Sequence, residues 1–408
     1  MKYKQLAPIL IVLSVLICIV AVASYKGQNS NTNSSNQSTN DTVNVFSVKQ
    51  NTHNNEEMRG VWVSYMELTM ENEKDKSQKR FTEKFEEIAE NCKNLGYNTL
   101  VVQVRPFCDA LYKSDYFPWS HILTGEQGKN PNYDPLKIIC DVCREKNLNI
   151  HAWVNPYRIS TQNSPSELSE NNPYVKDSSV GFKTQSGTYL DPSNENARRL
   201  IIDGIEEIVS NYDIDAIQFD DYFYPADMGS EDDTQYREYI NGCENESMTL
   251  EEWRKANVNL LISEVYLRIH SIKNNVEFGI SPQGNINNND KLFADVQLWC
   301  TTRGYIDYIC PQIYFSLDNP ALTFEDSLQS WCELEFASNV NLYVGLAGYK
   351  AGTDDDEGTW LNDDNILAQE YNIICENEKT SGLMMYSYAS LFSDDGKKEM
   401  ENFYNELN

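Results

Sequence analysis

Asp215-Ala216-Ile217-Gln218-Phe219-Asp220-Asp221 is a short run of strand-forming residues that stops abruptly on two carboxylates. A helical stripe precedes it (Leu200, Ile201, Ile205, Ile208, Val209) and another follows (Val258, Leu261, Ile262, Val265, Ile269). Apolar residues at such spacing mark one face of a 3.6-residue repeat. Working outward, the same strand–loop–helix unit recurs. Strands are predicted at Arg59–Tyr65, Asn98–Val104, Asn149–Val154, Asp215–Phe219, Val276–Ser281, Asp307–Tyr314, Asn341–Leu346 and Gly382–Tyr388. Phe81, Phe85, Ile88, Ala89 and Cys92 form the stripe after the first strand, with Gly96 as its stop signal. Eight alternating units predict an α/β fold, a closed (β/α)8 TIM barrel. A doubly wound sheet would want a phosphate loop, and no G-x-G-x-x-G or G-x-x-x-x-G-K follows any strand.

The first 57 residues differ in kind. Lys2 and Lys4 precede an apolar run from Leu6 to Ser24, and Ala21-Val22-Ala23 offers a small-x-small cleavage site. The run is also long enough to span a bilayer. Residues 1–26 are therefore expected to be a cleaved signal peptide or a retained membrane anchor through residues 6–24. Either places the folded part outside the cytoplasmic membrane, secreted or at the cell surface. Residues 27–57 are rich in Asn, Ser and Thr, cannot bury enough surface to order themselves, and read as a disordered tether. The barrel is expected over 58–408.

Composition narrows the function by exclusion. The chain carries 62 acidic against 33 basic residues, a net charge of −29. Such a field repels phosphates, so a nucleic-acid partner is not expected. Nine cysteines follow Cys18, and Cys140 and Cys143 lie within a helical pattern without a second pair or a His to complete a zinc site. They are read as buried thiols. Asp354-Asp355-Asp356-Glu357 lacks the spacing of a calcium loop. Neither a metal nor a cofactor is expected, and no protein partner is indicated.

Chemistry is sought where the strands end. Period two along the fourth strand turns Ile217 and Phe219 toward the helices, and Ala216, Gln218 and Asp220 toward the barrel axis. Asp221 has the opposite phase and needs a bend to reach the axis. Neighbouring carboxylates raise one another's pKa, as an acid catalyst requires. Other strand ends offer Gln103, Arg105 and Asp109, then Trp153, Asn155, Tyr157 and Arg158, then Gln312 and Tyr314, with Tyr222 and Tyr224 following the acidic pair. Side chains of this kind hydrogen-bond sugar hydroxyls and stack on sugar faces. His151 sits mid-strand and is read as an internal barrel residue.

Several stretches resemble the bacterial glycosyl hydrolase family 10-like barrel proteins. They are Met58-Arg59-Gly60-Val61-Trp62-Val63, Gln103-Val104-Arg105-Pro106-Phe107, Asp109-Ala110-Leu111-Tyr112, Pro118-Trp119-Ser120 and Tyr133-Asp134-Pro135-Leu136. They continue through His151-Ala152-Trp153-Val154-Asn155-Pro156-Tyr157-Arg158, Phe219-Asp220-Asp221-Tyr222-Phe223-Tyr224-Pro225, Gly279-Ile280-Ser281-Pro282 and Pro311-Gln312-Ile313-Tyr314. The chain departs after Ser281-Pro282, where it reads Gln283-Gly284-Asn285-Ile286 in place of the Phe-Gly-Ile-Trp of many relatives. The resemblance implies a glycosidase acting on a polysaccharide, with peptidoglycan lacking its stem peptides as the substrate class.

Two carboxyl groups are expected to perform such hydrolysis. Asp220 would be nucleophile, base or polarising group. The acid would be Asp221 or a carboxyl from another strand, Asp109 or Glu67. Arg105, Asn155, Tyr157, Gln312 and Tyr314 would bind sugar beside the other strand-end residues. The competing reading is a non-catalytic glycan-binding barrel tethered to the envelope. A metal-dependent deacetylase is disfavoured by the shortage of histidine.

Overall fold

The computed structural model describes residues 57–244 and 246–407. The expected targeting segment and all of the tether except Glu57 lie outside these residues. Eight parallel strands close a barrel in sequence order. They are β1 (Met58–Val63), β2 (Thr99–Arg105), β3 (Asn149–Val154), β4 (Ala216–Phe219), β5 (Glu277–Ile280), β6 (Tyr308–Ile309), β7 (Asn341–Leu346) and β8 (Thr380–Met385), with β8 pairing back onto β1. Helices alternate with them: α1 (Gln78–Asn94), α2 (Pro135–Glu145), α3 (Glu195–Asn211), α4 (Leu250–Ile272), α5 (Val296–Thr301), α6 (Phe324–Cys332), α7 (Ile366–Glu376) and α8 (Lys397–Leu407). The strand predicted over Asp307–Tyr314 pairs regularly only at Tyr308 and Ile309. Pro311 has no N–H to continue the ladder, and pairing resumes as single bridges from Gln312 to Gln283 and Gly345.

Local chemistry fixes the helix starts. Ser77 accepts from the Arg80 N–H at the head of α1, and Asp134 from the Lys137 N–H before Pro135 at the head of α2. Thr249 and Glu252 form a reciprocal capping box on α4.

Strand alternation produces two cores. Ile217 and Phe219 belong to the large layer between strands and helices. Trp62, Val101, Trp153, Ala216, Tyr308, Cys310, Tyr343 and Met384 fill the barrel itself. His151 lies in this inner layer, bonded through Nδ1 to the Tyr308 hydroxyl at 3.0 Å, and burial pushes its imidazole down to about 4. It is a neutral packing residue. The described cysteines are free thiols, all but Cys243 and Cys375 buried. Among the described residues no helix is long and apolar enough to cross a membrane.

Glu399 on α8 is buried and accepts the Leu367 N–H at 2.5 Å at the start of α7. Burial, with Asp363 and Asp364 nearby, raises its carboxyl from 4.5 to about 7. A carboxyl raised in the folded state contributes stability that is complete below its unfolded value and is lost as pH rises through the folded one. The Tm of the wild type is thus expected to fall between about pH 4.5 and 7. Glu399→Gln should flatten that slope in a calorimetric pH series, and an unchanged slope would remove Glu399 from its cause.

Candidate active site

All eight strands deliver side chains to one cleft of about 390 Å³ at the C-terminal end of the barrel. Trp62 comes from β1, Gln103 from β2 and Trp153 from β3. Asp220, Asp221 and Tyr222 follow β4, and Ser281 follows β5. Gln312 and Tyr314 follow β6, Tyr349 follows β7 and Tyr386 follows β8. Larger hollows exist, one of about 520 Å³ between α3 and α4, but it is a furrow on the outer wall lined by Arg198, Arg268 and Glu264, away from the strand ends. Barrel enzymes work at the strand ends.

Asp220 and Asp221 are only 4% and 5% exposed. Asp220 Oδ2 accepts from Trp153 Nε1 at 3.3 Å and from Asn155 Nδ2, and Oδ1 from the Tyr222 N–H at 3.3 Å. Asn155 is held in turn by Gln103 Nε2 at 2.6 Å, and Gln103 by the Tyr65 N–H at 3.0 Å. Asn155 is therefore a buried support behind the cleft wall. Asp221 accepts from Gln283 Nε2 and from Gln312 Nε2, the latter at 3.3 Å.

Asp221 reaches the cleft because regular pairing of β4 stops at Phe219. The chain then turns, with the Phe223 N–H donating to the Asp221 carbonyl at 3.1 Å. The bend that strand phase requires is thus present. Burial, followed by the charge of Asp221, pushes Asp220 up to about 7. Burial also raises Asp221, against the pull of the two glutamine amides and Arg158. Arg158, the sole cation lining the cleft among the described residues, lies over the rings of Phe107 (4.9 Å) and Tyr222 (5.4 Å). Two interacting carboxyls titrate as a pair, so the second to ionise holds its proton toward neutrality.

Besides Asn155, five expected site residues lie elsewhere. Arg105 has the strand phase of Gln103, yet the β2–β3 register slips between them. A bulge of this kind turns the next side chain to the other face. Arg105 consequently packs outward, its guanidinium 4.5 Å from the Phe117 ring centroid and bonded to the Pro156 carbonyl at 3.3 Å. A Cβ on Gly204 of α3 would sit 3.2 Å from Arg105 Nη1 and 2.5 Å from Phe117, so the helix approaches closely because that residue is glycine. Asp109 is fully buried under the loop after β2, accepting from Gln127 Nε2 at 3.0 Å and facing His121 Nδ1 at 3.3 Å. His121 bonds Ser164 through Nε2 at 3.0 Å, which ties the loops after β2 and β3 together. Tyr157 and Tyr224 pack in the outer core, Tyr224 edge-on to Phe293 at 5.1 Å. Glu67 is also committed: it accepts from the Ser64 N–H at 2.8 Å, the Ser387 hydroxyl at 3.0 Å and the Ala389 N–H at 3.3 Å.

Sequence reasoning missed Trp62, Ser64, Tyr65, Met66 and Tyr349 as cleft residues, whereas Ser281 and Tyr386 are strand-end groups of the fifth and eighth strands. Strand phase alone finds Trp62 and Tyr386. Tyr349 follows β7 in a short 3-10 turn at Gly348–Lys350 that no periodicity signals. Tyr386, Trp62, Tyr314 and Tyr349 make one aromatic wall, with ring centroids 5.8–6.1 Å apart.

A parallel barrel whose strand ends gather a buried carboxyl pair, side-chain amides and a wall of aromatic rings has the build of a glycoside hydrolase. The chain belongs to the glycosyl hydrolase-like 10 family, whose sequence profile matches residues 57–362, and is a glycosidase by that membership. It is 34% identical over 360 residues to Glycosyl hydrolase YngK of Bacillus subtilis (strain 168), covering 84% of this chain and 70% of that one. It is 33% identical over 289 residues to Glycosyl hydrolase DigH of Escherichia coli (strain K12), covering 64% and 65%. Among solved structures, the glycoside hydrolase domain of PgaB (BpsB) from Bordetella bronchiseptica superposes with a TM-score of 0.56 at 12% identity, over 86% of this chain and 99% of that domain. That likeness concerns the fold.

Proposed function

We propose that the cleft hydrolyses glycosidic bonds of a bacterial cell-wall or related polysaccharide, with Asp220 as proton donor and Asp221 as its ionised partner. One observation carries this reading: the buried pair at the C-terminal end of β4, in which burial and the charge of Asp221 push the Asp220 carboxyl up to about 7. An acid with a pKa near the working pH both holds its proton and gives it up readily. The aromatic wall offers sugar rings a stacking surface, and the amides and Arg158 offer donors to their hydroxyls. Relatives named glycosyl hydrolases support the same reading. Residues 1–57, as a signal or anchor followed by a tether, would hold the barrel at or beyond the cell surface.

The alternative, a glycan-binding barrel without catalysis, draws on one observation. Neither Asp109 nor Glu67, the carboxyls expected from other strands, lines the cleft. Product mass spectrometry on peptidoglycan strands with and without stem peptides, chitin and plant β-glucans separates the readings. Hydrolysis predicts new reducing ends on the stripped strands. Retention of glycan without any cutting would establish the binding barrel instead.

The titration has a signed consequence. Asp220 must be protonated to act, so kcat/KM should fall as pH rises through about 7. It should fall again in acid as the pair takes up its second proton. A rate flat from pH 6 to 9 would exclude Asp220 as the donor.

A further inference from the structure

Hydrolysis by two carboxyls needs one at the leaving oxygen and the other in position to attack C1 or to activate water for that attack. Asp220 and Asp221 are consecutive, their Cα atoms about 3.8 Å apart, and both enter the cleft from the end of β4. They approach a bound sugar from one side. Across the barrel, β7, β8 and β1 contribute Tyr349, Tyr386, Trp62 and Met66, none of them anionic. Burial raises the Tyr386 and Tyr349 phenols, which keeps them protonated and poor nucleophiles. The other carboxyls nearby are spoken for: Glu67 by its capping bonds and Asp109 by Gln127. Among the described residues the cleft thus holds an acid and an adjacent anion, and no separate nucleophile.

We propose that the nucleophile is supplied by the substrate: the cleft takes a sugar with a 2-acetamido group, whose carbonyl oxygen attacks C1 while the consecutive carboxyls Asp220 and Asp221 serve the leaving oxygen and the amide N–H. This rests on the hydrolytic reading above and specifies how it proceeds. In the first step the acetamido oxygen bonds to C1 as the C1–O bond to the departing glycan breaks. The bonding pair leaves on that oxygen, which takes the proton of Asp220. Positive charge develops on the amide nitrogen, whose N–H donates to the Asp221 carboxylate. In the second step water adds to C1, Asp220 recovers a proton from it, and the C1–O bond to the acetamido group breaks. The acetamido group is restored, and two displacements leave the configuration at C1 retained. The bonds from Gln283 and Gln312 hold Asp221 in place to receive the N–H.

The test compares two glycan strand preparations free of stem peptides on the full chain. One carries the natural N-acetyl groups; the other carries N-trifluoroacetyl groups, which keep the N–H and nearly the same size but have a much weaker carbonyl nucleophile. The expected result is a kcat about 100-fold lower on the fluorinated strands at similar KM. The thiazoline analogue of N-acetylglucosamine, a stable mimic of the cyclised intermediate, should inhibit competitively. Equal kcat on the two strands, or an inverted anomer in the first product by NMR, would overturn the proposal while leaving hydrolysis intact. Failure to cut either strand would overturn the hydrolytic reading and this inference with it.

Discussion

Asp220→Asn should lower kcat on a cleavable glycan by about 10²–10⁴-fold, some 3–5 kcal/mol of barrel-bound transition-state stabilisation, with the Tm close to that of the wild type. Asparagine is nearly isosteric, and its carbonyl oxygen can keep the bonds from Trp153 Nε1 and Asn155 Nδ2, at the cost of the long bond from the Tyr222 N–H to the other oxygen. It cannot donate an acidic proton to a leaving oxygen. Removing the Asp220 carboxyl also removes a buried group whose ionisation both burial and the charge of Asp221 oppose, which favours folding rather than opposing it. Loss of activity together with loss of the fold is therefore not the expected pattern. An aryl glycoside whose phenol needs no protonation to depart should recover much of the lost rate, because only the donor role is missing. Steady-state kinetics on polymer and aryl substrate, beside a thermal melt, measure all three quantities. Full activity of Asp220→Asn on the polymer would end its assignment as the acid.

Gly279→Ala should cost about 3 kcal/mol or more, the upper end for overpacking a filled core. Gly279 points into the barrel from β5, and a Cβ there would stand 2.0 Å from the Tyr308 ring. The ring has nowhere to go. Its hydroxyl is bonded to His151 at 3.0 Å and its face is packed beside Tyr343 at 5.2 Å between centroids. Tyr308 thus occupies the volume that the absent side chain leaves. Tyr308→Ala should relieve the clash, so the double variant should be more stable than the sum of the two single losses predicts. Calorimetry of the four proteins checks this, and a Gly279→Ala melt equal to that of the wild type would show that the inner layer is looser than its contacts imply.

Much of the fold was legible because alternation and helical stripes are long-range averages over many residues. Each of the eight predicted runs overlaps a barrel strand, though the sixth keeps regular pairing only at Tyr308 and Ile309, and Ala216 and Phe219 face the sides that period two assigns them. The site was less legible because single side chains depend on single backbone events. Arg105 and Gln103 share a phase in sequence, and one register slip sends Arg105 into the outer core. Asp221 has the wrong phase, and one turn brings it in. Asp109 follows a polar strand end as a catalytic group would, yet it is buried as a loop anchor bonded to Gln127. Gln283 stands at a polar strand end, yet nothing in the sequence tells that it holds Asp221. Period two cannot announce a bulge, and nothing local distinguishes an anchoring carboxylate from a reacting one.

Peptidoglycan strands free of stem peptides, digested in H₂¹⁸O and analysed by product mass spectrometry, show whether Asp220 drives hydrolysis. One ¹⁸O is expected in each new reducing end made by the wild type, and no such ends above background with Asp220→Asn. Strands that bind the wild-type barrel but stay uncut, or ends that Asp220→Asn makes as fast as the wild type, would contradict it.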